Sequence, residues 1–250
     1  MEKRRFFSSL VYPVGFILVL WLVKAIELFF DLEFYQYGIY PQDVKGLRGI
    51  FLSPFIHGSF SHLISNSIPL LVLGVALYYF YRDVAHKVFF LAMIITGLWV
   101  WIIARQSFHI GASGILYSLA AFLFTSGVIR RHPRLMALSL LVAFLYGGMV
   151  WGVFPIKDGV SWESHLMGMI CGVLLAFHFR AHGPQRKKYS WELEEEDDEE
   201  EDEEEENLPW QTPDKRKDSG GLSRPHGSGF TKIRYEYKSG KKKSGPGESQ

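Results

Sequence analysis

The chain holds one cysteine, Cys171, and a lone thiol excludes an internal disulfide framework. Set in an apolar run, it reads as a small buried residue. Acidic residues are scarce wherever the chain is apolar. Of the 26 Asp and Glu, 14 crowd into residues 192–206 (ELEEEDDEEEDEEEE). Outside that run, 27 Lys and Arg face 12 acids, so the formal net charge of +1 conceals a basic body with one acidic insert. No HExxH pattern occurs, and no carboxylate cluster accompanies the histidines of the apolar half. A metal centre or transporter using His57, His62, His109 and His165 is thereby disfavoured, and no metal is expected. The amino terminus, MEKRR before an apolar run, imitates a secretory signal. That run continues to about residue 30 without a small-residue cleavage pattern, so an uncleaved first span is expected.

What is present is hydrocarbon. Six apolar stretches follow in series, near residues 10–30, 63–80, 88–103, 114–129, 135–153 and 162–179. Several lie at or below the roughly 17–25 residues of a full span, but six in succession predict an all-α polytopic membrane protein. Placing the amino terminus inside puts Lys3, Arg4, Arg5, Arg82, Lys87, Arg130, Arg131, Arg134 and Arg180 on the inner side. Only Lys45, Arg48, Arg105 and Lys157 then fall outside, so both termini are expected to be cytoplasmic. Lys24, near the outer end of the first span, is expected to snorkel. The expected division is a membrane domain over residues 1–180 and a disordered, charged cytoplasmic tail over 181–250.

The fourth stretch is short: 16 helical residues rise about 24 Å against a hydrocarbon core of roughly 30 Å. If Arg130 and Arg131 mark the inner surface, its start lies below the outer one. Backbone at that depth must be buried in protein or line water, which predicts an outward-opening hollow with Ser113 at its floor. Polar residues collect at this level. His62 and Asn66, four apart, share a face of the second span; His165 opens the sixth; Gly168 and Gly172 continue its face at a spacing that permits close helix approach. Any one of these has an ordinary packing explanation, but four polar groups in one layer make a candidate site.

Chemistry assigns the roles. Ser113 is a nucleophile once a base takes its proton, and His165 is the candidate base. An oxyanion formed by attack on a peptide carbonyl needs fixed donors, which the Ser113 backbone N–H at a helix start, His62 and Asn66 can supply. Tyr117, one turn past Ser113, either packs against the His165 ring or is an ordinary core aromatic. The loop 152–161 is either a cap above the site, with Phe154 as its plug, or an inter-helix turn.

In HLISN from His62, GASG from Gly111 to Gly114, and HLMGMICG from His165, the sequence resembles the rhomboid family of intramembrane serine proteases. The resemblance covers roughly residues 45–180, with Tyr117 at the family's position four after the nucleophile. It implies a six-helix bundle and a Ser113–His165 dyad, with Gly111 and Gly114 supporting the nucleophile. It also implies cleavage of single-span membrane protein substrates near the outer face, within a bilayer of bacterial cytoplasmic-membrane type. No cofactor and no nucleic-acid partner are implied, and the sequence fixes no oligomeric state. One departure is Leu47-Arg48 in the first outer loop, where many bacterial members carry a Trp-Arg pair; there the loop is expected to sit differently in the bilayer.

Overall fold

A computed structural model describes residues 2–156 and 159–185; the expected tail beyond residue 185 lies outside the described residues. The helices are α1 (Glu2–Phe29), a single turn α2 (Gly49–Leu52), α3 (Phe60–Phe80), α4 (Ala85–Ile103), α5 (Ser113–Arg130), α6 (Pro133–Tyr146) and α7 (Trp162–His178). No named strand occurs among the described residues, only one isolated bridge between Ile39 and His109. The architecture is all-helical, as the apolar stretches predict. Five helices, with α6 continued as 3-10 helix to Val153, are long and apolar enough to cross a membrane. The sixth, α7, has 17 residues. It starts where the apolar stretch 162–179 begins and ends one residue before that stretch does, and a 3-10 segment, Gly147–Val153, precedes it across a loop.

The helices start and stop where local chemistry directs. Ser59 and Ser161 cap α3 and α7, each side-chain oxygen accepting from the backbone N–H three residues on. Arg131 takes a left-handed conformation with φ 49°, ending α5, and Pro133 opens α6 two residues later.

Burial distinguishes centre from periphery. In the most apolar window of α5 61% of residues are buried, against 17% in α1. Helix α5 packs against α3, α4, α6 and above all α7, while α1 leans chiefly on α3 and touches α4 through Tyr12 against His86 and Phe16 against Phe89. The outward faces of α1 and α6 expose large apolar side chains, among them Leu18, Leu140 and Phe144, the last 86% exposed. Water would not tolerate so much exposed hydrocarbon, and lipid requires it. This is an integral membrane protein.

Two close approaches fix the centre. A Cβ on Gly168 would run into the carbonyl oxygen of Gly114, and one on Gly172 into that of Ser118. Backbone therefore meets backbone where α7 crosses α5, the geometry expected of small residues four apart.

The first loop, residues 30–59, is built of short 3-10 segments and α2. It is tied to the α4–α5 loop by paired backbone hydrogen bonds between Ile39 and His109, 3.0 and 2.8 Å. Arg48 stays on its own loop, its guanidinium 4.4 Å above the Tyr37 ring and donating to the Gln36 carbonyl. Lys24 does not snorkel. It turns inward, its ammonium 2.7 Å from Glu27 and 3.0 Å from the His57 carbonyl oxygen. A carboxylate one turn away and a carbonyl facing it across the bundle hold the charge better than a reach for the interface.

Candidate active site

Helix α5 begins at Ser113 itself, after the loop that follows α4. Gly111 in that loop has φ +100°, a conformation disfavoured for side-chain-bearing residues, and a Cβ there would lie 2.7 Å from the His62 Nε2. Glycine thus lets the chain turn while the His62 ring presses against it. The Gly111 N–H donates to the Ser53 carbonyl at 2.8 Å, anchoring the turn to the first loop. No side chain caps α5, so the N–H groups of its first turn have no intrahelical acceptor and no capping partner.

Ser113 and His165 meet directly. The Ser113 Oγ lies 2.9 Å from His165 Nε2, and both residues are buried. His165 Nδ1 lies 2.8 Å from the carbonyl oxygen of Gly152. A carbonyl can only accept, so Nδ1 carries the proton and Nε2 is left to accept from the serine hydroxyl. Tyr117 stacks flat on the imidazole, with ring centroids 4.1 Å apart and planes 6° apart, and donates from its hydroxyl to the Met149 carbonyl at 2.8 Å. Of the two roles open to Tyr117, packing against the histidine ring is the one found.

A cavity of about 680 Å³ lies over this pair, lined by Ser113, His165, Tyr117, His62 and Asn66. Asn66 Nδ2 donates one hydrogen to the His62 carbonyl at 3.1 Å and retains a second. The six sequence-selected residues other than Gly114 thus surround one space: five line it, and Gly111 abuts His62. Gly114 serves the helix crossing instead. Phe154 does not line the cavity and is half exposed, so it plugs nothing here; Val160 and Ser161 from the same connection, and Tyr146 and Met149 before it, form that wall. Residues 157 and 158 of the proposed cap lie outside the described residues.

Two loop histidines stand beside the site. His57 is buried, its ring edge-on to His62 at 4.9 Å, with neither nitrogen hydrogen-bonded among the described residues. Burial pushes its pKa down to about 4, and the neighbouring His62 and Lys24 add to the effect. His109 is likewise lowered by burial, and both its ring nitrogens are engaged, with Ser161 Oγ at 2.6 Å and the Arg105 carbonyl at 3.0 Å. Among the described residues no three His, Cys, Asp or Glu side chains converge as a metal-binding set. The backbone acceptors at Met149 and Gly152, and the His109–Ser161 contact, were not foreseen from sequence. Main-chain carbonyls carry no residue signature.

Comparison with known proteins gives the family. The model of the Rhomboid domain matches residues 45–182. An uncharacterized protein of Mycobacterium bovis is 34% identical over 183 residues, covering 69% of this chain and 75% of its own length. A counterpart in Mycobacterium tuberculosis matches to the same extent, and one in Mycobacterium leprae is 36% identical over 200 residues, 74% of this chain and 76% of its own. With the family model spanning more than half of the sequence, the chain belongs to the rhomboid family, a family of intramembrane serine proteases.

Proposed function

We propose that this protein is an intramembrane serine endopeptidase that cuts single-span membrane proteins near the outer face of the bilayer, with Ser113 as nucleophile and His165 as base. The observation that carries this reading is the Ser113 Oγ–His165 Nε2 hydrogen bond in a histidine whose tautomer is fixed by Gly152. As Ser113 Oγ attacks the scissile carbonyl carbon, its proton passes to Nε2. The resulting oxyanion is held by the Ser113 N–H at the uncapped start of α5, with His62 and Asn66 as side-chain donors. Collapse breaks the C–N bond, and His165 returns the proton to the leaving amine. Water then enters by the same route, losing its proton to His165, which passes it to Ser113 Oγ as the acyl C–O bond breaks and the acid is released. Stacking on Tyr117 keeps the imidazole in plane while its charge changes.

The substrate would enter as an unwound segment, because a peptide bond inside a helix is shielded by its own hydrogen bonds. A helix weakened by Gly or Pro near its outer end suits the cavity. Both termini of the protease would lie in the cytoplasm, with the cavity opening to the other side.

The test is cleavage of a reconstituted single-span substrate, paired with labelling by a fluorophosphonate probe. Ser113→Ala and His165→Ala should each reduce cleavage to background in folded protein, and Ser113→Ala should also abolish labelling. Cleavage at wild-type rate by either variant would overturn the dyad.

A further inference from the structure

We infer that His109 is a positioning residue, which through Ser161 sets the distance between Ser113 and His165 from the loop side. This rests on the dyad proposed above and adds to it a part that no motif contains. His109 stands four residues before Ser113, and Ser161 stands four residues before His165. The His109 Nδ1–Ser161 Oγ contact at 2.6 Å is therefore a second rung between the same two chain segments that meet at the 2.9 Å dyad contact.

Its polarity is determined. Nε2 faces the Arg105 carbonyl at 3.0 Å and must donate to it, so Nδ1 accepts from the Ser161 hydroxyl. The same Ser161 oxygen receives the Ser164 N–H as the cap of α7, and the His165 N–H reaches the Ser161 carbonyl at 3.3 Å. Moving Ser161 thus moves the first turn of α7, and His165 with it. On the other segment, the backbone pair with Ile39 immobilises His109 against the first loop.

A parallel tie runs alongside. Arg105 donates to the Val160 carbonyl at 2.8 Å, and its Nε lies 3.5 Å from the buried Glu163 carboxylate, which accepts no hydrogen bond from the described residues. Glu163 and Arg105 are the charged groups beside His109. The dyad therefore lies between two clamps: the Gly114–Gly168 backbone contact, and the polar ties across the loops. The glycine contact limits how closely the helices approach. The loop ties prevent the start of α7 from swinging away.

The experiment uses the full chain in proteoliposomes with three variants. His109→Leu keeps bulk and removes the polar link; His109→Asn restores an acceptor toward Ser161; Ser161→Ala removes the partner. Expected for His109→Leu is a kcat lowered roughly 10- to 100-fold with KM within about twofold, as for a misplacement on the order of 1 Å. His109→Asn should recover most of the loss, and the Leu/Ala double variant should be no worse than the worse single. Hydrogen exchange supplies a readout independent of catalysis: amides of residues 161–165 should exchange about tenfold faster in His109→Leu while α5 is unchanged. Unchanged exchange there, a purely additive double variant, or failure of His109→Asn to rescue would overturn the inference. Should the exchange pattern hold while wild type cleaves nothing, the clasp stands and the protease reading falls.

Discussion

Substituting Gly168 by alanine tests whether the helix crossing sets the chemistry. The added Cβ would collide with the Gly114 carbonyl oxygen and lie 3.0 Å from its carbon and 3.2 Å from the Gly114 Cα. Carbon atoms sit comfortably at about 3.5–4.0 Å, so α7 must withdraw or roll by roughly 1 Å. His165 lies three residues earlier on the same helix and follows. Its present 2.9 Å from Ser113 Oγ then lengthens to about 4 Å, outside hydrogen-bond range. Loss of the proton acceptor from reach should lower kcat about 100-fold, at an overpacking cost of about 1–3 kcal/mol in stability. Cleavage of a reconstituted substrate would be read against thermal unfolding in detergent. Gly172→Ala meets the Ser118 oxygen in the same way but one turn further from the dyad, so its effect on kcat should be smaller at similar loss of stability. Wild-type turnover by a folded Gly168→Ala variant would refute the argument that this crossing positions the base.

Other perturbations follow from named contacts. His62→Ala and Asn66→Ala should each lower kcat about 10- to 100-fold, less than loss of Ser113, because the backbone donor at the start of α5 remains; steady-state kinetics on the same substrate separates these. Tyr117→Phe, which keeps the ring on His165 and loses only the Met149 contact, should cost no more than a few-fold, whereas Tyr117→Ala should cost about tenfold or more in kcat. Lys24→Met leaves the Glu27 carboxylate with only the Phe34 N–H as donor and should destabilise the fold by about 3 kcal/mol, an effect that Glu27→Gln in the same chain partly reverses in thermal unfolding. His57 gives a pH dependence of stability. Its pKa in the folded protein is about 4 against an ordinary 6.5, so between those values the unfolded chain binds the proton and the folded chain does not. Stability should therefore fall as pH drops from about 6.5 towards 4, by roughly 2–3 kcal/mol, and His57→Asn should flatten that window in unfolding curves at stepped pH.

Most of the framework was legible in the sequence because lipid writes simple rules. Apolar runs located α3, α4, α5 and α7 to within a few residues, missed the charged first two turns of α1, which starts at Glu2, and merged α6 with the 3-10 segment after it; a polar residue in such a run announces itself. His62 and Asn66, four apart, needed only helical periodicity to be placed on one face. Ser113 and His165 needed only the alternation of spans to be put at one end of the bundle. Legibility failed where tertiary contact decides. Lys24 looked like a residue reaching for the interface, but the His57 carbonyl that accepts from it is 33 residues away in the chain. Phe154 looked like a plug by size alone, yet its backbone leads it out of the cavity wall. The carbonyls of Met149 and Gly152, which orient Tyr117 and His165, belong to a 3-10 segment whose sequence (GGMVWGV) gives no sign of which oxygen will face inward. His109 was visible only as one imidazole among several, and its partnership with Ser161 depends on two loops 52 residues apart.

The central position of α5 has a consequence for how the molecule is made. This helix, with its polar start, is sheathed by α3, α4, α6 and α7, and Ser113 meets His165 only on a helix synthesised some fifty residues later. While the ribosome is still supplying α6, a serine-bearing segment already sits in the membrane with no partner to activate it. If the proposed dyad holds, the hydroxyl of Ser113 acquires its acceptor only when α7 docks against α5, the last packing step of the bundle.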